Sequence, residues 1–173
     1  ELLEDGDDLV MVNGPQGGWH LLTAMKALNK QRIHLSALST GPAMRMLDDA
    51  AKYSMERKQF GKPIIEHQLI QAMLADSRAE AFAGRSMVLE AARSKDRGER
   101  VSLDASCCKL FCSEMVGRVA DRAVQIHGGA GYMADYPVER FYRDVRLFRI
   151  YEGTTQIQQI VIARELARQA KSS

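Results

Sequence analysis

From Trp19 to about Arg57, the apolar residues Leu21, Met25, Leu28, Leu35 and Leu38 recur at steps of four, three, seven and three. That spacing places them on one face of a single long amphipathic helix. Gly41-Pro42 is a place for a kink, and Phe60-Gly61-Lys62-Pro63 supplies glycine and proline where a helix end takes them. A second helix is predicted from about Glu66 to Ser94. Its stripe of Ile70, Met73, Ser77, Ala81, Gly84 and Val88 mixes small and apolar residues and admits a close neighbour. Lys95 to Arg100, charged and containing Gly98, forms its loop. A third helix runs from about Ser102 to Ile126 and stops at Gly128-Gly129. A short fourth takes Asp135 as cap and Pro137 in its first turn, carrying Val138 to Arg146. The last begins at Thr154 or Thr155, where Thr155-Gln156-Ile157-Gln158 reads as a capping box, and reaches about Gln169.

Residues 1–18 hold a short β-like run, Leu9 to Val12, followed by the turn-forming stretch Asn13-Gly14-Pro15-Gln16-Gly17-Gly18. They read as a lead-in to one domain covering residues 19–173. Long helices, short loops and no alternating strand pattern predict an all-α, antiparallel four-helix bundle with a short additional helix. No internal repeat, low-complexity segment or linker interrupts it.

With 173 residues, 46% hydrophobic and 27% charged, the chain can bury the core of one domain. A disordered tail and a disulfide-stapled miniprotein are both excluded. The net charge of +2 demands neither nucleic acid nor a membrane surface, although 16 Arg against 8 Lys suits phosphate recognition by planar guanidinium forks. No apolar run approaches the roughly 20 residues of a membrane helix, and Glu1-Leu2-Leu3-Glu4 carries no basic flank or cleavage signal. Cys107, Cys108 and Cys112 match no zinc spacing, and their odd number fits a reducing compartment. Cys108 and Cys112 fall with Met115, Val119 and Ile126 at helical spacing, as core residues.

Three places depart from this pattern. Arg32 lies on the first helix's apolar stripe with Asn29 one turn before it. A charge there either pairs with an acidic residue of another helix, snorkels to solvent, or meets an anionic ligand. Arg164 repeats the situation on the last helix, on the stripe of Ile157, Ile160, Val161 and Ala167. The second place is Gln125-Ile126-His127-Gly128-Gly129-Ala130-Gly131-Tyr132. It follows a helix, so a dinucleotide-binding βαβ unit is rejected. Its glycines either terminate the helix or expose backbone N–H groups to phosphate. His127 has no second ligand at metal-binding spacing. The third is Ile150-Tyr151-Glu152-Gly153-Thr154-Thr155-Gln156. There one carboxylate sits between apolar neighbours and a helix start that would shift its pKa in opposite directions; it either caps that helix or does chemistry.

Taken together, these places resemble the C-terminal helical domain of the flavin-dependent acyl-CoA dehydrogenase family. The markers are Arg57-Lys58-Gln59-Phe60-Gly61-Lys62, Glu66-His67-Gln68, Gln125-Ile126-His127-Gly128-Gly129, Tyr136-Pro137-Val138-Glu139-Arg140 and Ile150-Tyr151-Glu152-Gly153-Thr154. The resemblance covers nearly the whole chain from Leu28 onward. It implies removal of the pro-R hydrogens across Cα and Cβ of an acyl-CoA thioester, giving a trans-2-enoyl-CoA and reduced FAD. Glu152 matches the base in the medium-chain and short-chain arrangement; the base position of the isovaleryl and long-chain branches is occupied by Gln31, which cannot serve.

The same resemblance implies FAD contacts at Arg57, Gln59, Phe60, His67 and Gln68, at Gln125, Ile126, His127, Gly128 and Gly129, and at Thr154, Thr155 and Gln156. The first groups reach a neighbouring subunit's FAD, which implies a homo-oligomer, a dimer or tetramer. Asn29 and Arg32 match CoA-contacting positions, Tyr151 and Gly153 flank the thioester, and Arg164 matches a position near the base. Asn29 replaces the medium-chain Asp, and Gln59 the common Thr. Electron-transferring flavoprotein is the implied oxidant, and the expected location is a bacterial cytoplasm or a mitochondrial matrix. The family's N-terminal helical and middle β domains have no counterpart in the chain, so it is expected to be part of a longer enzyme. The alternative is a non-catalytic helical module that oligomerises or binds other proteins.

Overall fold

The computed structural model describes the backbone of residues 2–5, 8–11 and 17–172 and the side chains of residues 28–171. Strands β1 (Leu2–Asp5) and β2 (Asp8–Met11) pair antiparallel, Leu2 opposite Met11. The 40-residue helix α1 (Gly17–Glu56) follows. A minimal hairpin, β3 (Lys58–Gln59) and β4 (Lys62–Pro63), leads through a 3₁₀ turn at Ile64–Glu66 into α2 (Gln68–Asp96). Then come α3 (Ser102–His127), a 3₁₀ turn at Gly128–Tyr132, α4 (Val138–Arg146), a 3₁₀ turn at Leu147–Arg149 and α5 (Thr155–Ser172). Helix α3 is central and packs against α1, α2, α4 and α5. The predicted helical bundle is the fold, and the three long helices fall where their periodicity placed them. Leu21 and Met25 lie outside the residues whose side chains are described.

The core is built from small residues and methionines: Ala43, Met46 and Ala50 of α1, Ala81 of α2, and Met115, Val116, Val119, Ala120 and Ala123 of α3. A second cluster joins Ile33, Val88, Ala91, Ala105, Cys108 and Cys112. The stripe predicted on α2 is the buried one, and at Gly84 an added β-carbon would stand 3.0 Å from Met115 Cε, so α2 and α3 pack closely there.

Several sequence expectations need correction. Leu35 of the predicted stripe is buried and Leu28 half-buried, but Leu38 is 61% exposed, and the buried face of α1 runs also through Asn29, Arg32, Ser36, Ser39, Ala43, Met46, Ala50 and Ser54. Serine is cheap there because each hydroxyl bonds back along its own helix, Ser36 Oγ to the Arg32 carbonyl at 2.7 Å and Ser39 Oγ to that of Leu35 at 2.9 Å. Pro42 does not break α1, although it has no N–H for the preceding turn. What reads as a simple stop at Phe60-Gly61 is a two-residue hairpin turn with both residues at positive φ, 54° and 80°. Helix α2 starts two residues later than predicted, at Gln68, and Asp135 does not cap α4, whose N-cap Pro137 makes no side-chain bond.

The cap of α5 is Thr154. Its Oγ1 accepts from the Ile157 N–H at 3.3 Å. The expected capping box does not form: with Thr154 as cap its third residue is Ile157, which cannot bond back, and Gln158, which is 0% exposed, turns to the preceding loop instead. The stripe assigned to α5 lies largely outside as well: Ile157, Ile160, Arg164 and Ala167 are exposed, Val161 is half-buried, and Gln158 is the buried anchor. The glutamine amide satisfies loop carbonyls that an isoleucine would leave bare.

Candidate functional site

The singled-out residues fall into two groups at different levels of the bundle. The first is a groove of about 1050 Å³ where the end of α1, the β3–β4 hairpin, the start of α2 and the end of α3 meet. Arg57, Gln59, Phe60, His67, Gln68, Ile126, His127, Gly128 and Gly129 all line it. Gln125, the residue before Ile126 on α3, is exposed and is not among its lining residues.

Local chemistry holds the groove open. Phe60 sits at the hairpin tip, 92% exposed, with its ring edge-on to His67 at 5.9 Å. His67 Nε2–H donates to the Gln59 carbonyl at 3.3 Å, which ties the hairpin to the start of α2. Buried His127 donates from Nδ1 to the Ala123 carbonyl at 2.8 Å, and its ring stacks on Tyr53 at 4.3 Å. Tyr136 closes edge-on against both rings at 5.6 Å. Gly128 has φ 59°, and a β-carbon on Gly129 would meet nothing within 4 Å. Glycine at 129 therefore answers to no packing among the described residues, and it leaves backbone open to a neighbour. An exposed aromatic face, an exposed guanidinium at Arg57 and bare backbone fit the adenine and phosphate end of a dinucleotide.

The second group surrounds the Ile150–Thr154 loop between Arg149 and α5. Glu152 is half-buried at φ 56°, a left-handed conformation a non-glycine residue rarely adopts, and Gly153 follows at φ 85°. Gln158 Nε2 donates to the carbonyls of both, at 3.2 and 3.3 Å. Thr155 and Arg149, flanking the loop, both reach Glu114 of α3, at 2.7 and 3.2 Å. Tyr151 stacks on Phe148 at 5.9 Å; burial and then the Glu152 charge push its phenol up.

Asn29 and Arg32 turn into the bundle. Arg32, 3% exposed, donates from Nη1 to Asn29 Oδ1 at 2.9 Å and to Ser106 Oγ at 3.4 Å. Lys109 on α3 is 1% exposed, and its Nζ has no hydrogen-bond partner among the described residues. Burial draws its ammonium down to about 8, against the pull of Glu114 and Glu152 and with the push of Arg32. Lys109, Glu114 and Gln158 were not read as site residues from sequence. Lys109 carried the same signal as Arg32, a cation at core spacing between Ala105, Cys108 and Cys112.

No group of three or more His, Cys, Asp or Glu among the described residues could hold a metal ion, and no described helix is long and apolar enough to cross a membrane.

Residues 16–167 match the family description "Acyl-CoA dehydrogenase, C-terminal domain". The chain is 44% identical to cyclohexane-1-carbonyl-CoA dehydrogenase of Geobacter metallireducens over 86% of its own length and 39% of that protein's. It is 45% identical to the caffeyl-CoA reductase-Etf complex subunit CarC of Acetobacterium woodii, over 84% and 38%. Butyryl-CoA dehydrogenase of Megasphaera elsdenii superposes with a TM-score of 0.83 at 39% identity, over 89% of this chain and 40% of that one. The chain thus spans about two fifths of the length of these relatives. On the match of family description, sequence and fold together, it belongs to the acyl-CoA dehydrogenase family, as a C-terminal helical domain.

Proposed function

We propose that this domain serves an FAD-dependent acyl-CoA dehydrogenase that converts an acyl-CoA to the trans-2-enoyl-CoA, with Glu152 as the base that takes the α proton. The observation that carries the reading is Glu152 itself: a half-buried glutamate in a strained left-handed conformation, its backbone carbonyl held by Gln158 and its charge felt by the buried Lys109. Strain of this kind persists only where surrounding contacts impose it, and it marks sites of function. A thioester α C–H is a weak acid, so the proton acceptor must be fixed and partly desolvated. FAD, when bound, supplies the hydride acceptor for the β carbon.

The groove supports a second part of the proposal. Along α3, Glu114 beside the base loop and His127 in the groove are thirteen residues apart, about 20 Å. Arg57, Gln59, Phe60, His67, Gln68 and the Gln125–Gly129 stretch therefore stand well away from Glu152, which supports assigning them to the adenine end of another subunit's FAD. Thr154, Thr155 and Gln156, beside the base, serve the subunit's own FAD. A homo-oligomer, dimer or tetramer, follows, and the exposed apolar residues Ile157, Ile160 and Leu166 of α5 fit such an assembly.

Gly153 and Tyr151 flank the thioester. Burial of Asn29 and Arg32 favours a charge-setting role near the base loop over direct contact with CoA, and Arg164 on exposed α5 faces a partner surface. Electron-transferring flavoprotein is the proposed oxidant; the Acetobacterium relative is, by its name, a subunit of a complex with such a flavoprotein.

The test is anaerobic flavin reduction by saturating acyl-CoA in the full-length enzyme. Glu152→Gln should slow it by about 10⁴-fold or more while acyl-CoA binding persists. A mutant rate within about threefold of wild type would remove Glu152 as the base.

A further inference from the structure

One carboxylate grips both ends of the loop that carries Glu152. Glu114 Oε1 accepts from the Thr155 hydroxyl at 2.7 Å, and Glu114 Oε2 accepts from Arg149 Nη1 at 3.2 Å. Arg149 is the residue immediately before the Ile150–Thr154 loop, and Thr155 the residue immediately after it. Gly117, three residues along α3 from Glu114, makes room for this. A β-carbon there would stand 2.6 Å from Arg149 Nη2, so the guanidinium lies against the helix backbone on the Glu114 side. Within the bracket the loop holds Glu152 at φ 56°, a left-handed conformation that costs a non-glycine residue energy, next to Gly153 at φ 85°.

We propose that Glu114 is a positioning residue for the base: through Arg149 and Thr155 it fixes both ends of the loop and so sets where the Glu152 carboxylate stands relative to the substrate α carbon. The proposal rests on Glu152 being the base. A five-residue loop pinned at both ends has few conformations, and releasing one end restores many. Proton abstraction from carbon is sensitive to that freedom, since a displacement of about 1 Å can cost about 10²-fold in rate. Glu114→Ala releases both ends. Glu114→Gln leaves an oxygen for the Thr155 hydroxyl and removes the charge facing Arg149.

The experiment uses the full-length, FAD-loaded enzyme, with butyryl-, octanoyl- or palmitoyl-CoA as substrate, whichever reduces the wild type fastest. Flavin reduction is followed anaerobically at saturating substrate, and substrate Kd and flavin content are measured alongside. Glu114→Ala is expected to slow reduction about 10- to 100-fold, and Glu114→Gln by an intermediate factor, with Kd and flavin content within about twofold of wild type. In a Glu152→Gln background, Glu114→Ala should slow the residual rate no further than about twofold, because it acts through Glu152. Glu114 variants within about twofold of the wild-type rate, in an enzyme that Glu152→Gln disables, would overturn the positioning role and leave the base assignment standing. An equal loss in both backgrounds would also overturn it, as a general structural defect. A Glu152→Gln enzyme that still reduces its flavin would remove the base assignment and the positioning role together. If Glu114→Ala does not fold, Glu114→Gln decides: a loss of more than about threefold supports the proposal and a smaller one overturns it.

Discussion

A β-carbon on Gly153 would stand 2.5 Å from Nε2 of Gln158, the donor that holds the carbonyls of Glu152 and Gly153. Together with φ 85°, this means that an alanine there must displace the amide and accept a left-handed backbone. Gly153→Ala is therefore expected to destabilise the domain by about 2–4 kcal/mol, read as a fall in the urea midpoint with an unchanged m-value. A change below about 0.5 kcal/mol would show that the loop relaxes freely around Gln158.

Lys109 is expected to cost the domain stability at neutral pH. Its folded pKa of about 8 lies below the ordinary 10.5, so between those values the unfolded chain holds a proton that the folded chain has released. Stability should therefore rise with pH across that window, and below pH 8 the folded state carries the full charging penalty. Lys109→Met should raise the melting temperature at pH 7, by at most ~3 kcal/mol equivalent, and should flatten the rise between pH 8 and 10.5. A destabilised Met variant, or an unchanged alkaline rise, would count against this account.

Glu80 joins α2 to α3 by accepting from Arg122 and Arg118 at 3.1–3.2 Å. Burial alone would raise its carboxyl pKa, but the two guanidinium donors outweigh it and hold the group below the ordinary 4.5. Its contribution is present above that value and is lost as pH falls through the folded pKa. Glu80→Gln should cost ~1 kcal/mol at pH 7 and make the acid limb of the thermal stability profile shallower. An acid limb identical to wild type would contradict the arrangement.

The thiols should divide by reactivity. Burial pushes Cys108 and Cys112 up to about 12, while half-buried Cys107 is raised by burial and then by Asp104. With an aromatic disulfide reagent at pH 8, Cys107 should label first and the other two only on unfolding. Mass spectrometry of the native, labelled chain would refute this by finding more than one modified cysteine early in the reaction.

Helix existence and rough extent belong to the sequence alone, because a repeat near 3.6 residues writes itself into any helix with one buried face. Hence α1, α2 and α3 fall where expected, and Cys108 and Cys112 lie in the core. The place of Arg32 on the apolar stripe was likewise legible, though not its burial, and the ordered markers carried the family. Which face of a helix is inside was a tertiary decision. On α1 the serines went in and Leu38 out, because a hydroxyl that bonds to its own helix costs little to bury and lets α3 approach. On α5 Gln158 went in and Ile157 and Ile160 out, because the left-handed loop before it left two carbonyls for an amide to satisfy. Glu114 had no distinguishing signal in the sequence: its partners are Arg149 and Thr155, which are 35 and 41 residues away. The groove, too, is made by three helix ends that meet only after packing. Local patterns record what each segment must bury or expose, and the partners it then finds depend on geometry that no single segment contains.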